Sequence, residues 1–270
     1  MKLADDAVYS VWLYGSHARG DSDRLSDIDV FVAGAPHRGV VESLAFNGQT
    51  PSVSQYTWEE VEAMAAYGSL FLRHLRLEGR PLLEGAGGTF RLVQLLERLP
   101  KYELFRRDIR AFHLTVGDVR EAFRMGSTPE FEMAVLGTVL RHGSVLGCYL
   151  LGRPCFARTG AMEQAGRAVG FTSEDVKAFN TLYLFRLHED GRCGAPFKPS
   201  WDHVMEFCCQ MEIFLQRLEE VADAFEGRLP EPNCESQIRC CGTRVRVPAP
   251  HSDQTFHLER CSTRSRAARH

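Results

Sequence analysis

The chain has 270 residues, of which 44% are hydrophobic and 10% aromatic. This length suits one large domain or two ordinary ones, and the hydrophobic content excludes a chain that is disordered throughout. The formal net charge of −3 provides no overall attraction to nucleic acid.

The sequence indicates neither secretion nor membrane insertion. We find no apolar run that reaches the length of a membrane span, and residues 1–6 lack the features of a signal peptide. The nine cysteines are not spaced like metal ligands, and the adjacent pairs at 208–209 and 240–241 match no zinc pattern. We therefore expect a reduced, cytoplasmic protein without membrane contact.

The first predicted elements are two strands joined by a glycine-serine turn. Residues 8–14 form the first strand, and Asp29 opens a second one through the apolar run 30–32. In the turn between them, Gly15 allows close approach of a ligand to the backbone, and Ser16 offers a hydroxyl and an amide. A short helix beginning near residue 17 would direct its N-terminus at an anion. The turn therefore predicts a phosphate-binding position.

Two aspartates lie close together at the start of the second strand. On an extended strand, Asp27 and Asp29 project from one face while Ile28 turns into the core. Two such carboxylates repel each other unless a cation lies between them. Mg²⁺ suits oxygen ligands of this kind and usually binds substrate phosphates as well. Together with the turn, the pair predicts a phosphoryl-transfer site.

The joined pattern resembles the signature of the polymerase-beta-type nucleotidyltransferases, most closely their minimal nucleotidyltransferase branch. The segments that carry the resemblance are Gly15-Ser16, Ala18-Arg19-Gly20 and Ser26-Asp27-Ile28-Asp29. It extends over roughly residues 8–84, through a short helix or edge at 39–46, a strand at 51–57, a helix at 58–79 and a strand from residue 79 to residue 83. The resemblance implies an α+β fold with a small mixed sheet.

The resemblance also implies the reaction. A nucleoside monophosphate would pass from a nucleoside triphosphate, such as ATP, to an acceptor hydroxyl with the help of Mg²⁺. Asp27 and Asp29 would be the catalytic metal ligands. The Arg19 guanidinium suits phosphate oxygens, and Ser26 is placed to hydrogen-bond a carboxylate or the turn backbone. The predicted nucleotide-binding residues are Gly15, Ser16, Arg19 and Ser26.

One expected residue is missing. The family usually places a third carboxylate on the strand before the long helix, and the matching position here is Ser54, or Ser52, neither of which is an acid. Glu59 and Glu60 are nearby, but they fall at a predicted helix start, where acids favour the helix dipole.

Three interpretations of the missing acid remain open. A glutamate of the helical half, Glu130 or Glu132, completes the site as a general base. Alternatively, the enzyme works slowly with two metal ligands. The third interpretation is a catalytically inactive, antitoxin-like module that binds nucleotide.

The rest of the chain is predicted to be helical. Apolar residues recur at intervals of three and four over 91–99, 102–125, 129–151, 163–169, 173–188 and 201–225. We therefore divide the chain into a nucleotidyltransferase domain at 1–88, a helical domain at 89–228 and a disordered basic tail at 229–270. After residue 228 the tail has seven arginines against four acids. It is interpreted as a terminus without a specific role or as a weak contact for a polyanion.

The predicted partners are a nucleoside triphosphate and an acceptor. The acceptor is left open between a small molecule, a protein and an RNA end, and a homodimer is left open as well.

Overall fold

The computed structural model describes residues 8–36, 44, 46 and 49–227. The predicted tail at 229–270 lies outside the described residues, as does most of the predicted short element at 39–46.

The N-terminal part is a four-stranded mixed sheet, in agreement with the predicted α+β fold. The strands have the order β3-β2-β1-β4, in which β1 is antiparallel to both of its neighbours and β2 is parallel to β3. Their bounds are Tyr9–Tyr14 (β1), Asp29–Gly34 (β2), Ser52–Tyr56 (β3) and Arg80–Gly85 (β4). The helices of this part are Gly15–Arg19 (α1), Trp58–Ala66 (α2), Leu70–Glu78 (α3) and Gly88–Glu97 (α4).

Alternation along the strands gives the sheet two apolar faces. One face presents Trp12, Tyr14 and Phe31 to a core that α2, α3 and α4 complete. The opposite face carries a smaller cluster of Val11, Ile28, Val30 and Val32. Both central strands are therefore held from two sides, which fixes the end of the sheet where the predicted site begins.

The helix predicted over residues 58–79 is two helices, and that prediction is wrong. The chain turns between α2 and α3 because the backbone at Gly68 packs against the carbonyl oxygens of Pro100 and Lys101. Helix α4 packs with the sheet, since Leu92 and Leu96 belong to the same core as β1. The division of domains at residue 88 stays a prediction.

The remaining described residues form a helical bundle. Its helices are Phe105–Glu121 (α5, followed by a 3-10 turn at Ala122–Met125), Pro129–Leu150 (α6), Arg158–Ala168 (α7), Ser173–Glu189 (α8) and Trp201–Glu226 (α9). Helix α7 begins five residues before the predicted start at 163. Its buried face consists of Ala161, Met162, Ala165 and Gly166, and these small residues weaken the apolar periodicity.

Helix α6 lies at the centre of the bundle and packs against α5, α7, α8 and α9. Its 22 residues include a window with a mean hydropathy of 1.2, so it is long and apolar enough to cross a membrane. The expectation that no run reaches this length is therefore wrong. Because 67% of that window is buried inside the protein, the apolar composition is also that of a core helix and is weak evidence for a membrane span.

Candidate functional site

The turn after β1 is shaped around the Asp29 carboxylate. Gly15 has φ +73°, in the left-handed region that favours glycine. A Cβ atom at this position would lie 2.5 Å from Asp29 Oδ2. The close approach predicted at Gly15 is therefore made in this structure by one of the two predicted metal ligands. The turn and the carboxylate lie in contact.

Asp29 begins β2 and is half-buried. Burial, followed by the negative charge of Asp27, raises the pKa of Asp29 to about 7. Three guanidinium groups oppose this rise, those of Arg192, Arg141 and Arg19. The pKa of Asp29 stays raised despite these three positive charges.

Asp27 lies in the loop before β2, since the strand begins only at Asp29. Ile28 between them is 5% exposed and belongs to the core, as predicted. The side chain of Asp27 is 43% exposed, and its Oδ1 lies 2.7 Å from Arg192 Nη2 in an ion pair. A residue of the helical part thus reaches the predicted metal site.

The loop that carries Asp27 is held by hydrogen bonds within the loop and by an ion pair with the helical part. Asp23 accepts hydrogen bonds from the backbone N–H of Leu25 and from the hydroxyl of Ser26, each 2.9 Å long. The Ser26 hydroxyl also accepts a hydrogen bond from the Asp23 backbone N–H, so Ser26 bonds a carboxylate, as predicted, and the backbone of its own loop. Arg158 of α7 forms an ion pair with Asp23 at 3.1 Å. The loop position therefore depends on the helical part.

Arg19 at the end of α1 is held by two acids. Its guanidinium lies 3.1 Å from Asp21 and 2.5 Å from Glu78. Glu78 is also hydrogen-bonded to His74 at 2.7 Å. The predicted contact of Arg19 with a triphosphate stays a prediction.

A buried aromatic cluster supports the site from behind. The Tyr14 hydroxyl lies 3.3 Å from Ser54 Oγ, and burial raises the pKa of Tyr14 to about 12. His74 packs edge-on against Tyr14 and stacks on Phe156 of the helical part, with ring centroids 4.4 Å apart. Burial lowers the pKa of His74, which keeps the ring neutral near pH 7. The cluster joins the sheet to the bundle beside Gly15.

Sequence reasoning missed the arginines that the bundle brings to this end of the sheet. They come from separate elements: Arg141 from α6, Arg158 from α7 and Arg192 from the loop after α8. Burial lowers the pKa of Arg141, whose Nη2 donates to the Phe156 carbonyl at 2.5 Å and whose buried Nη1 has no hydrogen-bond partner. No local sequence pattern marks these residues, because each reaches the site only through tertiary packing.

Both candidate positions of the missing carboxylate lie on the strand next to Asp29. Strand β3 runs parallel to β2, with Ser52 paired to Asp29 and Ser54 paired to Phe31. Within residues 8–36 and 49–227, no group of three or more His, Cys, Asp or Glu side chains is arranged to hold a metal. Ser52, rather than Ser54, is level with Asp29.

Two of the other acids considered from the sequence, Glu60 and Glu132, have structural contacts. Glu60 forms a capping box with Thr57 at the start of α2. Glu132 is 5% exposed, and its Oε1 accepts a hydrogen bond of 2.5 Å from Ser127 at the start of α6. Glu60 therefore acts as a helix cap, and the partner of Glu132 lies just before its own helix.

Comparison with known proteins now identifies the N-terminal part. Residues 2–69 match the family described as the nucleotidyltransferase domain. The chain carries a nucleotidyltransferase domain. The match includes the Gly15-Ser16 turn, both aspartates and β3, and leaves the helical bundle outside it. No curated protein was found to match the chain.

Nucleotidyltransferase domains typically use a divalent metal. The donor set fits one, because Asp29 offers carboxylate oxygens at the glycine turn and Asp27 offers two more in the adjoining loop. Mg²⁺ needs only one or two carboxylates when substrate phosphates and water fill its other positions.

Replacing Gly15 has two expected effects, one from its left-handed backbone and one from its contact with Asp29, and a control variant separates them. Gly15→Ala should lower the free energy of unfolding by about 1–3 kcal/mol because of the left-handed backbone. It should also displace the Asp29 carboxylate and abolish binding of Mg²⁺ with inorganic triphosphate. Gly20→Ala is the matched control, since Gly20 has φ +86° and open space around its Cβ. It should lose similar stability and keep binding, as measured by melting temperature and calorimetry; equal binding losses would contradict the account.

The burial of Asp29 should make stability depend on pH. The folded protein keeps a proton on Asp29 up to about pH 7, whereas the unfolded chain releases it near the ordinary pKa of 3.8. Stability contributed by this group is therefore lost as pH rises through that window. In metal-free buffer, Asp29→Asn should raise the melting temperature by a few degrees at pH 8 and leave it nearly unchanged at pH 4.

Asp23→Asn is the control of opposite sign. Although partial desolvation acts against it, hydrogen bonds from Ser26 and the Leu25 N–H and the charge of Arg158 lower the pKa of Asp23. Its removal should reduce the melting temperature at pH 8. A lower melting temperature for both variants at pH 8 would show that the ionised Asp29 carboxylate does not destabilise the folded protein.

Proposed function

We propose that the protein is a Mg²⁺-dependent nucleotidyltransferase that transfers a nucleoside monophosphate from a nucleoside triphosphate to an acceptor hydroxyl and releases pyrophosphate. The observation that carries this proposal is the contact of the Asp29 carboxylate with the backbone of Gly15. It supports the proposal because a predicted metal ligand and the predicted phosphate-binding turn lie together inside a nucleotidyltransferase domain. Cytoplasmic location and ATP as one candidate donor are part of the proposal.

Asp27 and Asp29 would hold the metal, which when bound polarises the phosphoryl oxygens and offsets their charge. Asp29 would release its proton as it becomes a ligand, since a metal-bound carboxylate is ionised. Asp27 is exposed and would accept the metal from the solvent side. The chain therefore supplies two ligands of unequal burial.

The Gly15-Ser16 turn would bind the β- and γ-phosphates, and the neighbouring arginines would neutralise their charge. Phosphoryl transfer depends mainly on positioning and electrostatic stabilisation. Arg19 is fixed by Glu78 beside the turn, and Arg141 brings a buried positive charge near Asp29. These features support binding of a triphosphate rather than of a neutral ligand.

A second candidate is a module that binds nucleotide without transferring it. One observation favours it: Ser52 occupies the register position next to Asp29, and no third acid joins the pair within the described part of the chain. Such a module would keep the turn and the arginines and lack the group that accepts the proton of the attacking hydroxyl.

The experiment that tests the proposal is transfer of label from each α-labelled nucleoside triphosphate with Mg²⁺, with and without cell extract. Asp27→Asn and Asp29→Asn should each abolish labelling, because each removes a charged oxygen ligand. Asp118→Asn, an exposed site on α5, should not. Wild-type turnover in the Asp27/Asp29 double variant would show that the site is wrongly assigned. Binding of the labelled nucleotide without transfer would favour the second candidate.

Restoring an acid on β3 tests how the site is completed. Ser52→Asp would place a carboxylate on the strand paired with Asp29, about 5 Å away. It should tighten Mg²⁺ binding in the presence of inorganic triphosphate and raise any transfer rate. Gln55→Asp, on the opposite face of the same strand, should do neither. Weaker Mg²⁺ binding in Ser52→Asp would mean that the carboxylate crowds a site already complete.

A further inference from the structure

Arg192 lies beside one of the two carboxylates of the proposed metal site. Its Nη2 is 2.7 Å from Asp27 Oδ1, and the two side chains are 23% and 43% exposed. The guanidinium offsets the charge of a carboxylate to which the proposed function assigns a metal. Arg192 and the metal would therefore compete for Asp27.

The local fold fixes the backbone of Arg192. Helix α8 ends in a Schellman motif, in which the N–H of Gly191 donates to the carbonyl of His188 and the N–H of Arg192 donates to the carbonyl of Leu187, each at 2.8 Å. Gly191 has φ +70°, as this motif requires. The side chain of Arg192 therefore starts from a defined point at the edge of the site.

The contact with Asp27 has the character of an exchangeable ion pair. Arg192 Nη2 lies close to the carboxylate oxygen without a hydrogen bond of good geometry. Because Nη2 is buried in this contact and forms no hydrogen bond, the pair lacks the directed geometry that makes a guanidinium–carboxylate pair strong. A guanidinium is planar and suits two phosphate oxygens at once, so a triphosphate would bind it better than a single carboxylate oxygen does.

We infer that Arg192 is a phosphate-binding residue of this site, which pairs with Asp27 in the metal-free protein and with the triphosphate once Asp27 binds the metal. The inference rests on the proposed function. No covalent bond changes in this step, since Arg192 exchanges one anionic partner for another. The loop after α8 thus contributes directly to a site whose ligands belong to the nucleotidyltransferase domain.

The test is a pair of binding constants that should move in opposite directions. Arg192→Ala should tighten binding of Mn²⁺ alone about threefold to fivefold, because a competing cation is removed from Asp27. The same variant should weaken binding of inorganic triphosphate in the presence of Mg²⁺ about tenfold, because a charged hydrogen-bond donor is lost. Electron paramagnetic resonance measures the first constant and calorimetry the second.

Two further variants keep the result specific. Arg192→Lys retains the charge without the planar fork, so its Mn²⁺ affinity should stay near that of the wild type while triphosphate binding weakens. Arg167→Ala removes an exposed arginine that is 3.8 Å from Glu163 on α7, and it should change neither constant. Unchanged constants for Arg192→Ala, or two constants that move in the same direction, would overturn the inference. If the wild type binds neither Mn²⁺ nor Mg²⁺ with triphosphate, the proposed function itself fails.

Discussion

The site depends on one electrostatic constraint: Asp29 is half-buried beside a second carboxylate. Burial and the charge of Asp27 raise the pKa of Asp29 to about 7. The protein holds this unfavourable arrangement because β2 is paired on both sides and Gly15 leaves room for the carboxylate. A cation between the two acids would relieve the repulsion, which is why the arrangement suits a metal site better than a structural one.

The helical bundle completes the electrostatics of the domain. Arg158 fixes the loop before Asp27, Arg192 reaches Asp27, and Arg141 lies close enough to influence Asp29. His74 and Phe156 stack across the same junction. The family match covers β1, β2, β3 and both aspartates, whereas the positive charge that faces the aspartates comes largely from outside it. The two parts of the chain therefore meet at the proposed site.

Much of the site could be predicted because its parts are local. Gly15, Asp27 and Asp29 lie within one short stretch, and strand alternation correctly places Ile28 in the core. The position of the missing acid, next to β2, also followed from the order of the elements.

The arginines could not be predicted, since tertiary packing brings Arg141 and Arg192 to the site from distant helices. Two helix predictions failed for physical reasons. A close backbone contact at Gly68 divides the helix predicted over 58–79, and small residues conceal the start of α7. Helix α6 shows a further limit of prediction from composition. Its apolar composition is typical of a core helix and also meets the criteria for a membrane span.

The most direct measurement is anomalous diffraction from crystals grown with Mn²⁺ and a nucleoside triphosphate analogue that cannot be cleaved between the α- and β-phosphates. The account predicts a Mn²⁺ peak about 2.1 Å from carboxylate oxygens of both Asp27 and Asp29, with the phosphates at the Gly15-Ser16 turn. Nucleotide bound at the turn without a peak between the aspartates, or a peak elsewhere in the protein, would contradict it.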